Sequence, residues 1–283
     1  SALQISGFKT PVLVYLTVYC KQMFMADIRQ LLQTAQAAAV EAGMAILDVY
    51  RSGTYATTMK EAEFPVTEAD KASHKILTKA LLATGLPVLS EEGKNVAYQT
   101  RKQWSTFWLI DPLDGTEEFI HRREEFTVNI ALMHAQTAVA GVIYVPCSDT
   151  LYAGSEETGV NKKENEILTS ITILPQRTSF DAIKYKEGIT LAVSRSHLSK
   201  ETTAFAQQFL HPRFVSKGSA LKFMMLLDGE ADIYPRLGPT MEWDTAAAHA
   251  ILRATGRGVY HLDFQSELVY NKPDLHNPFF VAL

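Results

Sequence analysis

Two short apolar runs in this chain end in carboxylates, and that pairing restricts the folds open to it. "LPVLSEEG" (86–93) and "FWLIDPLDG" (107–115) are too short for stable helices and rich in Val, Leu, Ile and aromatics, so both read as buried strands. The first delivers Glu91 and Glu92 at its end, and the second delivers Asp111 and then Asp114. Carboxylates at the ends of core strands need a cleft, a cation or both, because an unpaired buried charge is costly. A sheet whose strand ends open on a shared cavity is therefore expected.

The rest of the pattern supplies the elements. Asp27 is expected to cap a long amphipathic helix with apolar positions at Ile28, Leu31, Leu32, Ala35, Ala38, Ala39, Ala42 and Ile46. A second helix follows in "VTEADKASHKILTKALLATG" (66–85), where Thr67 and Asp70 resemble a capping box and Asp70 falls in the first turn. From Phe126, "FTVNIALMH", "AVAGVIYVP" and "TLYAGS" alternate as an antiparallel meander, and "EETGVNKKENEIL" has the makings of a hairpin tip. The stretch 174–187, with Pro175 and mixed charge, is the expected boundary. Beyond it strands ("ITLAVSR", "RFVSKG", "ADIYPR") alternate with helices ("KETTAFAQQFL", "SALKFMMLLDG", "WDTAAAHAILRATG"), and "VYHL" and "FFVAL" form a closing pair. The expectation is an α/β (α+β) fold with two sheets, each flanked by helices. Residues 25–178 form one α+β domain and 179–283 a second, α/β domain.

Net charge excludes some partners. With 27 basic and 31 acidic residues the chain carries −4, so no global basic field exists to hold a long nucleic acid, although a small anionic substrate remains open. Cys20 and Cys147 lie far apart without metal-ligand spacing, which fits a reducing cytoplasm and no disulfide framework. Residues 1–24 stand apart. "PVLVYLTVYC" (11–20) is apolar but shorter than the roughly 20 residues a bilayer span takes. It reads as an upstream extension before a natural start at Met25, with a peripheral contact at the inner membrane as the sharper alternative.

Glu91, Asp111, Asp114 and Asp244 each stand at a strand end or a helix start, rigid places from which side chains project into clefts. Brought together they repel and raise one another's pKa unless a cation neutralises them. Hard oxygen donors with no His or Cys cluster point to Mg²⁺ rather than Zn²⁺. Pro112 stiffens the strand exit and Gly115 permits a tight turn, so that both aspartates and the Leu113 carbonyl can face one point. A pair of such ions can activate water and hold the leaving oxygen of an in-line displacement, which implies phosphate-ester hydrolysis. Singly, each piece has a plainer reading: an Asx-type loop at "DPLDG", solvated acids at Glu91 and Glu92, helix caps at Asp244 and Asp70.

Together, "VTEAD", "LSEE", "DPLDGTEEF" and "EWDTAAAHAIL", in that order, resemble the inositol monophosphatase superfamily of Mg²⁺-dependent, lithium-sensitive phosphatases. The resemblance runs from about Met25 to Leu283. The stretches "EFTVNIAL", "SRSHL", "GSALKF", "ADIYPRLGPTMEWDTAAAHAI" and "VYNKPDLHNPFFVA" look like its bacterial 3′(2′),5′-bisphosphate nucleotidase branch. The resemblance implies a layered α-β-α-β-α sandwich of the sugar phosphatase type, and Mg²⁺ at about two or three ions per site with Li⁺ inhibitory. It places the metals on Glu91, Asp111, the Leu113 carbonyl, Asp114 and Asp244. Thr116 with Asp70, beside Glu91, is assigned to orient and deprotonate the attacking water.

The implied substrate is adenosine 3′,5′-bisphosphate, with its sulfated relative PAPS as a further candidate, hydrolysed in sulfur assimilation. Its scissile phosphate is expected on the metals and the Gly115 and Thr116 amides, with Asp244 also accepting from a sugar hydroxyl. Ser194, His197, Gly218, Ser219 and Lys222 match nucleotide-binding positions, and Arg236 is a further candidate. Lys222 sits among apolar helix neighbours, so either the second phosphate partners it or its head snorkels to solvent. His197 is otherwise a plain surface histidine. Ala248 in "TAAAHAIL" replaces a Gly common in the family, without loss of a ligand. The resemblance leaves monomer and homodimer both open. The rivals are inositol monophosphate or fructose 1,6-bisphosphate hydrolysis on the same fold, and a catalytically inert Mg²⁺- or Ca²⁺-binding module.

Overall fold

The computed structural model describes residues 11–52, 57–60, 64–173, 179–195 and 199–283. Residues 1–10 of the extension, 174–178 of the expected boundary and His197 lie outside them. In chain order the first elements are α1 (Pro11–Ser52), a hairpin of β1 (Thr57–Lys60) and β2 (Phe64–Thr67), and α2 (Glu68–Leu82). Then come β3 (Val88–Ser90), α3 (Tyr98–Arg101), β4 (Thr106–Asp114), α4 (Thr116–Ile120), β5 (Thr127–His134), β6 (Thr137–Val145), β7 (Thr150–Ser155), β8 (Gly159–Glu164) and β9 (Ile167–Ser170). The second half holds α5 (Phe180–Lys184), β10 (Thr190–Val193), α6 (Lys200–Ala206), β11 (Arg213–Ser216), α7 (Leu221–Leu227), β12 (Tyr234–Arg236), α8 (Ala246–Ala254), β13 (Val259–His261) and β14 (Phe280–Ala282).

Strands β3 to β9 form one sheet in sequence order; β3 and β4 are parallel and every later pair is antiparallel. The period of two along β4 explains how this sheet is covered on both faces. Trp108 and Ile110 pack with Ile28, Ala35 and Leu77 of α1 and α2, whereas Phe107 and Leu109 pack with Phe223 and Ile251 of α7 and α8. The second sheet repeats the plan. Strands β12, β14 and β13 pair in that order, β10 pairs parallel with β11, and the Leu191–Ile233 bridge joins the two groups. Ala192 and Phe280 face α7 and α8, while Leu191 and Val281 face Phe205 and Phe209 at α6. The layers are therefore α1/α2, large sheet, α7/α8, small sheet and α5/α6: the expected α-β-α-β-α sandwich.

Two local expectations are corrected. Asp27 does not cap a helix, because α1 begins at Pro11 and runs through it. Proline is favoured at a first helical position, and no Gly or Pro breaks the chain between Pro11 and Asp27. The expected apolar register holds over the later turns, with Ile28, Leu32, Ala35, Ala39, Ala42 and Ile46 buried. Strand β4 does not stop at Asp111 either. It continues through Pro112 to Asp114, with a register shift against β5 between the two aspartates. This bulge absorbs the missing proline N–H and turns both acids toward one side.

Close approach of α8 to the large sheet depends on Gly141 of β6, where an added Cβ stands 2.1 Å from the Ala247 carbonyl oxygen. Gly141→Ala is expected to destabilise the fold by about 3 kcal/mol through overpacking, read as a lowered midpoint in urea unfolding. An unchanged midpoint would show that the layers slide apart at no cost.

Candidate active site

The acids meet because of strand register. Ser90 pairs with Ile110 across the parallel β3–β4 ladder, so the next residues, Glu91 and Asp111, leave the sheet side by side. The Glu91 amide donates to the Ile110 carbonyl at 3.2 Å, which fixes that exit. Asp111 is buried, and its Oδ1 accepts from the Leu113 amide at 3.1 Å across the bulge. Gly115 takes φ +92°, a left-handed turn that starts α4. Asp70 lies buried in the first turn of α2, as expected, and Ser73 one turn on donates to the Pro112 carbonyl at 2.6 Å. Thus α2 grips the back of the acidic turn.

Asp244 reaches the same cleft from the far side. It ends the 3₁₀ turn Glu242–Asp244, and its Oδ2 accepts from the Met241 amide at 2.8 Å rather than capping α8. That turn is anchored by the segment after Val269. Buried Glu242 accepts from the amides of Asn271 (2.6 Å) and Lys272 (3.1 Å) and from Lys272 Nζ (2.5 Å). Asn277 Nδ2 donates to the Met241 carbonyl at 2.6 Å. Arg101 ties the same segment down through Asn271 and Pro273.

The resulting cleft has a volume of about 700 Å³. Asp70, Glu91, Asp111, Leu113, Asp114, Gly115, Thr116 and Asp244 line it together with Ser194, Gly218, Ser219, Lys222 and Arg236, and the two groups adjoin where the Ser219 hydroxyl meets Asp114 at 2.7 Å. Every expected site residue except His197, which lies outside the described residues, therefore meets in one cavity. Burial, with the charges of Glu91, Asp114, Asp244 and Asp70 added, pushes the Asp111 carboxyl well above its ordinary pKa. Asp244 is raised likewise, by burial first and then by Asp114, against the Met241 hydrogen bond.

Crowded oxygen donors of this kind fit a hard divalent cation, which removes the repulsion that otherwise protonates them. As placed, no group of three or more carboxylates, imidazoles or thiols among the described residues is set to grip one ion. Two carboxylates are partly committed to protein donors: Asp114 Oδ2 accepts from Ser219 Oγ (2.7 Å) and Asn129 Nδ2 (3.1 Å), and Asp244 Oδ2 from Met241. Thr116 Oγ1 donates to the Leu113 carbonyl at 3.4 Å, so that carbonyl and hydroxyl already face each other.

Among the cations lining the cleft, Lys222 is buried rather than snorkelling. Its Nζ donates to the carbonyls of Ser219 (2.7 Å) and Lys217 (3.3 Å), and burial pulls its pKa down to about 8, opposed by Asp114 and reinforced by Arg236. Arg236 donates to Ser194 Oγ at 2.8 Å and to the Pro239 carbonyl at 2.9 Å. The acids after Gly115 divide. Glu117 is exposed in the first turn of α4, where acids favour the dipole. Glu118 instead lies buried against Gly218, where an added Cβ would stand 2.5 Å from its Cγ. Sequence reasoning missed Asn129, Thr127, Glu125 and Arg195, which hold these groups. The contacts of Thr127, Glu125 and Arg195 span the two halves of the chain, that of Asn129 crosses the β4–β5 ladder to Asp114, and no periodicity or spacing marks any of them.

Comparison with known proteins agrees with this geometry. Residues 27–278 match the model of the inositol monophosphatase family. The 3′(2′),5′-bisphosphate nucleotidase CysQ of Salmonella typhimurium is 40% identical over 243 residues, covering 82% of this chain and 90% of that protein. The Escherichia coli K12 protein of the same name is 38% identical, covering 77% and 85%. The crystal structure of CysQ from Bacteroides thetaiotaomicron superposes with a TM-score of 0.77 at 38% identity, over 88% of this chain and 95% of that one. Ordered acids at the ends of β3 and β4, a third acid on the 3₁₀ turn before α8, and matched relatives spanning most of the chain lead to one conclusion: this chain belongs to the inositol monophosphatase family.

Proposed function

We propose that the protein is a Mg²⁺-dependent phosphatase that hydrolyses the 3′-phosphate of adenosine 3′,5′-bisphosphate, giving AMP and phosphate. One observation carries this reading: a single cleft is lined both by a cluster of carboxylates and by the buried cation Lys222, with Arg195, Lys217 and Arg236. A substrate with one phosphate to cleave and a second to anchor matches that combination. The curated relatives named above as 3′(2′),5′-bisphosphate nucleotidases support the same substrate.

Glu91, Asp111, the Leu113 carbonyl, Asp114 and Asp244 are the residues that would hold Mg²⁺. Bound there, it would supply charge neutralisation at the phosphate and a lowered pKa for the attacking water. Li⁺ would be inhibitory, as in the family. Thr116 would orient that water and, with the Asp70 carboxylate lining the same cleft, pass on its proton. As the water oxygen bonds to phosphorus the bond to the ester oxygen breaks, and that oxygen takes up a proton as AMP leaves. The Gly115 and Thr116 amides bind the scissile phosphate. Lys222, Ser219, Gly218 and Arg236 with Ser194 bind the second phosphate and sugar, and His197 is a further candidate for that role.

In this division of labour residues 25–178 supply most of the metal site, and 179–283 supply Asp244 and substrate selection. PAPS, with the same 3′-phosphate, is a second substrate. The setting is the cytoplasm, within sulfur assimilation. Among the described residues no helix is long and apolar enough to cross a membrane.

Phosphate release tests the substrate. With Mg²⁺ present, kcat/KM for adenosine 3′,5′-bisphosphate should exceed that for inositol 1-phosphate by about tenfold or more, a difference of about 1.4 kcal/mol in transition-state stabilisation. Equal or reversed rates would sink the nucleotidase reading. Asp114→Asn should cut kcat by about a thousandfold or more while leaving the circular dichroism spectrum unchanged, because it removes a cation ligand but keeps an acceptor for Ser219.

Proton linkage tests the metal. Asp111 and Asp244 have folded pKa values raised above their ordinary 3.8, so the folded chain holds these protons more tightly than the unfolded chain. Stability of the metal-free protein therefore falls as pH rises above about 4. Mg²⁺ replaces those protons, so the Tm gained on adding Mg²⁺ to EDTA-treated protein should be small at pH 5 and about 5 °C or more at pH 8. A gain independent of pH would rule out these carboxyls as the ligands.

A further inference from the structure

Glu125 lies in the loop between α4 and β5 and is absent from the roles above. Its Oε2 accepts the Gly218 amide at 2.8 Å, and its Oε1 pairs with Arg195 Nη2. One carboxylate from the first half of the chain thus holds two separate segments of the second half. Both segments, Ser194–Arg195 and Lys217–Ser219, line the cleft.

The turn that Glu125 grips has little freedom. Gly218 presses on the Glu118 side chain, so no side chain fits there. Ser219 takes φ +53°, a conformation that non-glycine residues keep only when their surroundings impose it. The imposing contacts are the Gly218 amide on Glu125 and the Ser219 hydroxyl on Asp114 and, at 2.6 Å, on Thr127. Lys222 Nζ in turn rests on the Lys217 and Ser219 carbonyls, the two residues flanking Gly218. Glu125 therefore sets the seat on which the Lys222 ammonium is held. It also holds Arg195 against the cleft wall.

We propose that Glu125 is a positioning residue that sets the preference for a substrate carrying a second phosphate, by fixing the Lys217–Ser219 turn and Arg195 without touching substrate. The inference rests on the bisphosphate reading of the site. Glu125 reaches the acids of β3 and β4 only through the Ser219 hydroxyl on Asp114, which Asn129 also holds, so its loss should weaken substrate binding far more than the chemical step.

The test compares adenosine 3′,5′-bisphosphate with 3′-AMP, which has the same scissile ester and no second phosphate. Glu125→Ala should raise KM for the bisphosphate about tenfold, with kcat within about twofold and KM for 3′-AMP unchanged. Glu125→Gln keeps an acceptor for Gly218 and loses the ion pair, so its KM should fall between the two; it carries the test where the alanine variant does not fold. Hydrogen exchange at the Gly218 amide should speed up by about tenfold or more in Glu125→Ala. An unchanged bisphosphate KM, an equal loss on both esters, or unchanged Gly218 exchange overturns the proposal. A wild-type protein that treats both esters alike counts against the bisphosphate reading itself, and Gly218 exchange still decides whether Glu125 sets the turn.

Discussion

Mutual repulsion among carboxylates is the constraint on which the rest of this structure depends. Adjacent parallel strands release Glu91 and Asp111 side by side, a bulge adds Asp114, and a distant 3₁₀ turn adds Asp244. Left uncompensated, this cluster would drive the two halves of the chain apart. The surrounding structure holds it in place. Ser73 fastens the Pro112 carbonyl, Ser219 and Asn129 hold Asp114, and the Met241 amide holds Asp244. Two packed sheets with helices between and outside them provide the stiffness that such a cluster demands.

Much of this architecture is legible in the residues. Buried strands announce themselves through alternation: Phe107 and Leu109 on one face, Trp108 and Ile110 on the other. Helices α2, α7 and α8 follow from apolar spacing, and the acids stand out because core strands seldom end in charge. Where local reading fails, a specific competitor prevails. Asp27 carries a capping signal, but the residues before it also favour helix and α1 runs on to Pro11. Pro112 suggests a strand end, yet the bulge carries β4 past it. Lys222 offers two nearly equal readings, and tertiary burial removes the snorkelling one.

The cleft brings opposite charges together from different parts of the chain. Its carboxylates include Asp70 of α2, Glu91 after β3, Asp111 and Asp114 of β4 and Asp244 on the turn before α8, whereas its cations, Arg195, Lys217, Lys222 and Arg236, all come from the second half. On the proposed reading, chemistry and substrate selection draw on different elements. The contacts that join them, Ser219 to Asp114 and Glu125 to Gly218, are few and directional.

Glu242 carries one more consequence, which concerns the order of assembly rather than chemistry. The turn bearing Asp244 takes its shape from Asn271, Lys272, Leu275 and Asn277, a segment well removed from it along the chain. Glu91, Asp111 and Asp114 are set by strand pairing within the large sheet. Asp244 waits instead on a separate docking event, the seating of that later segment against its turn.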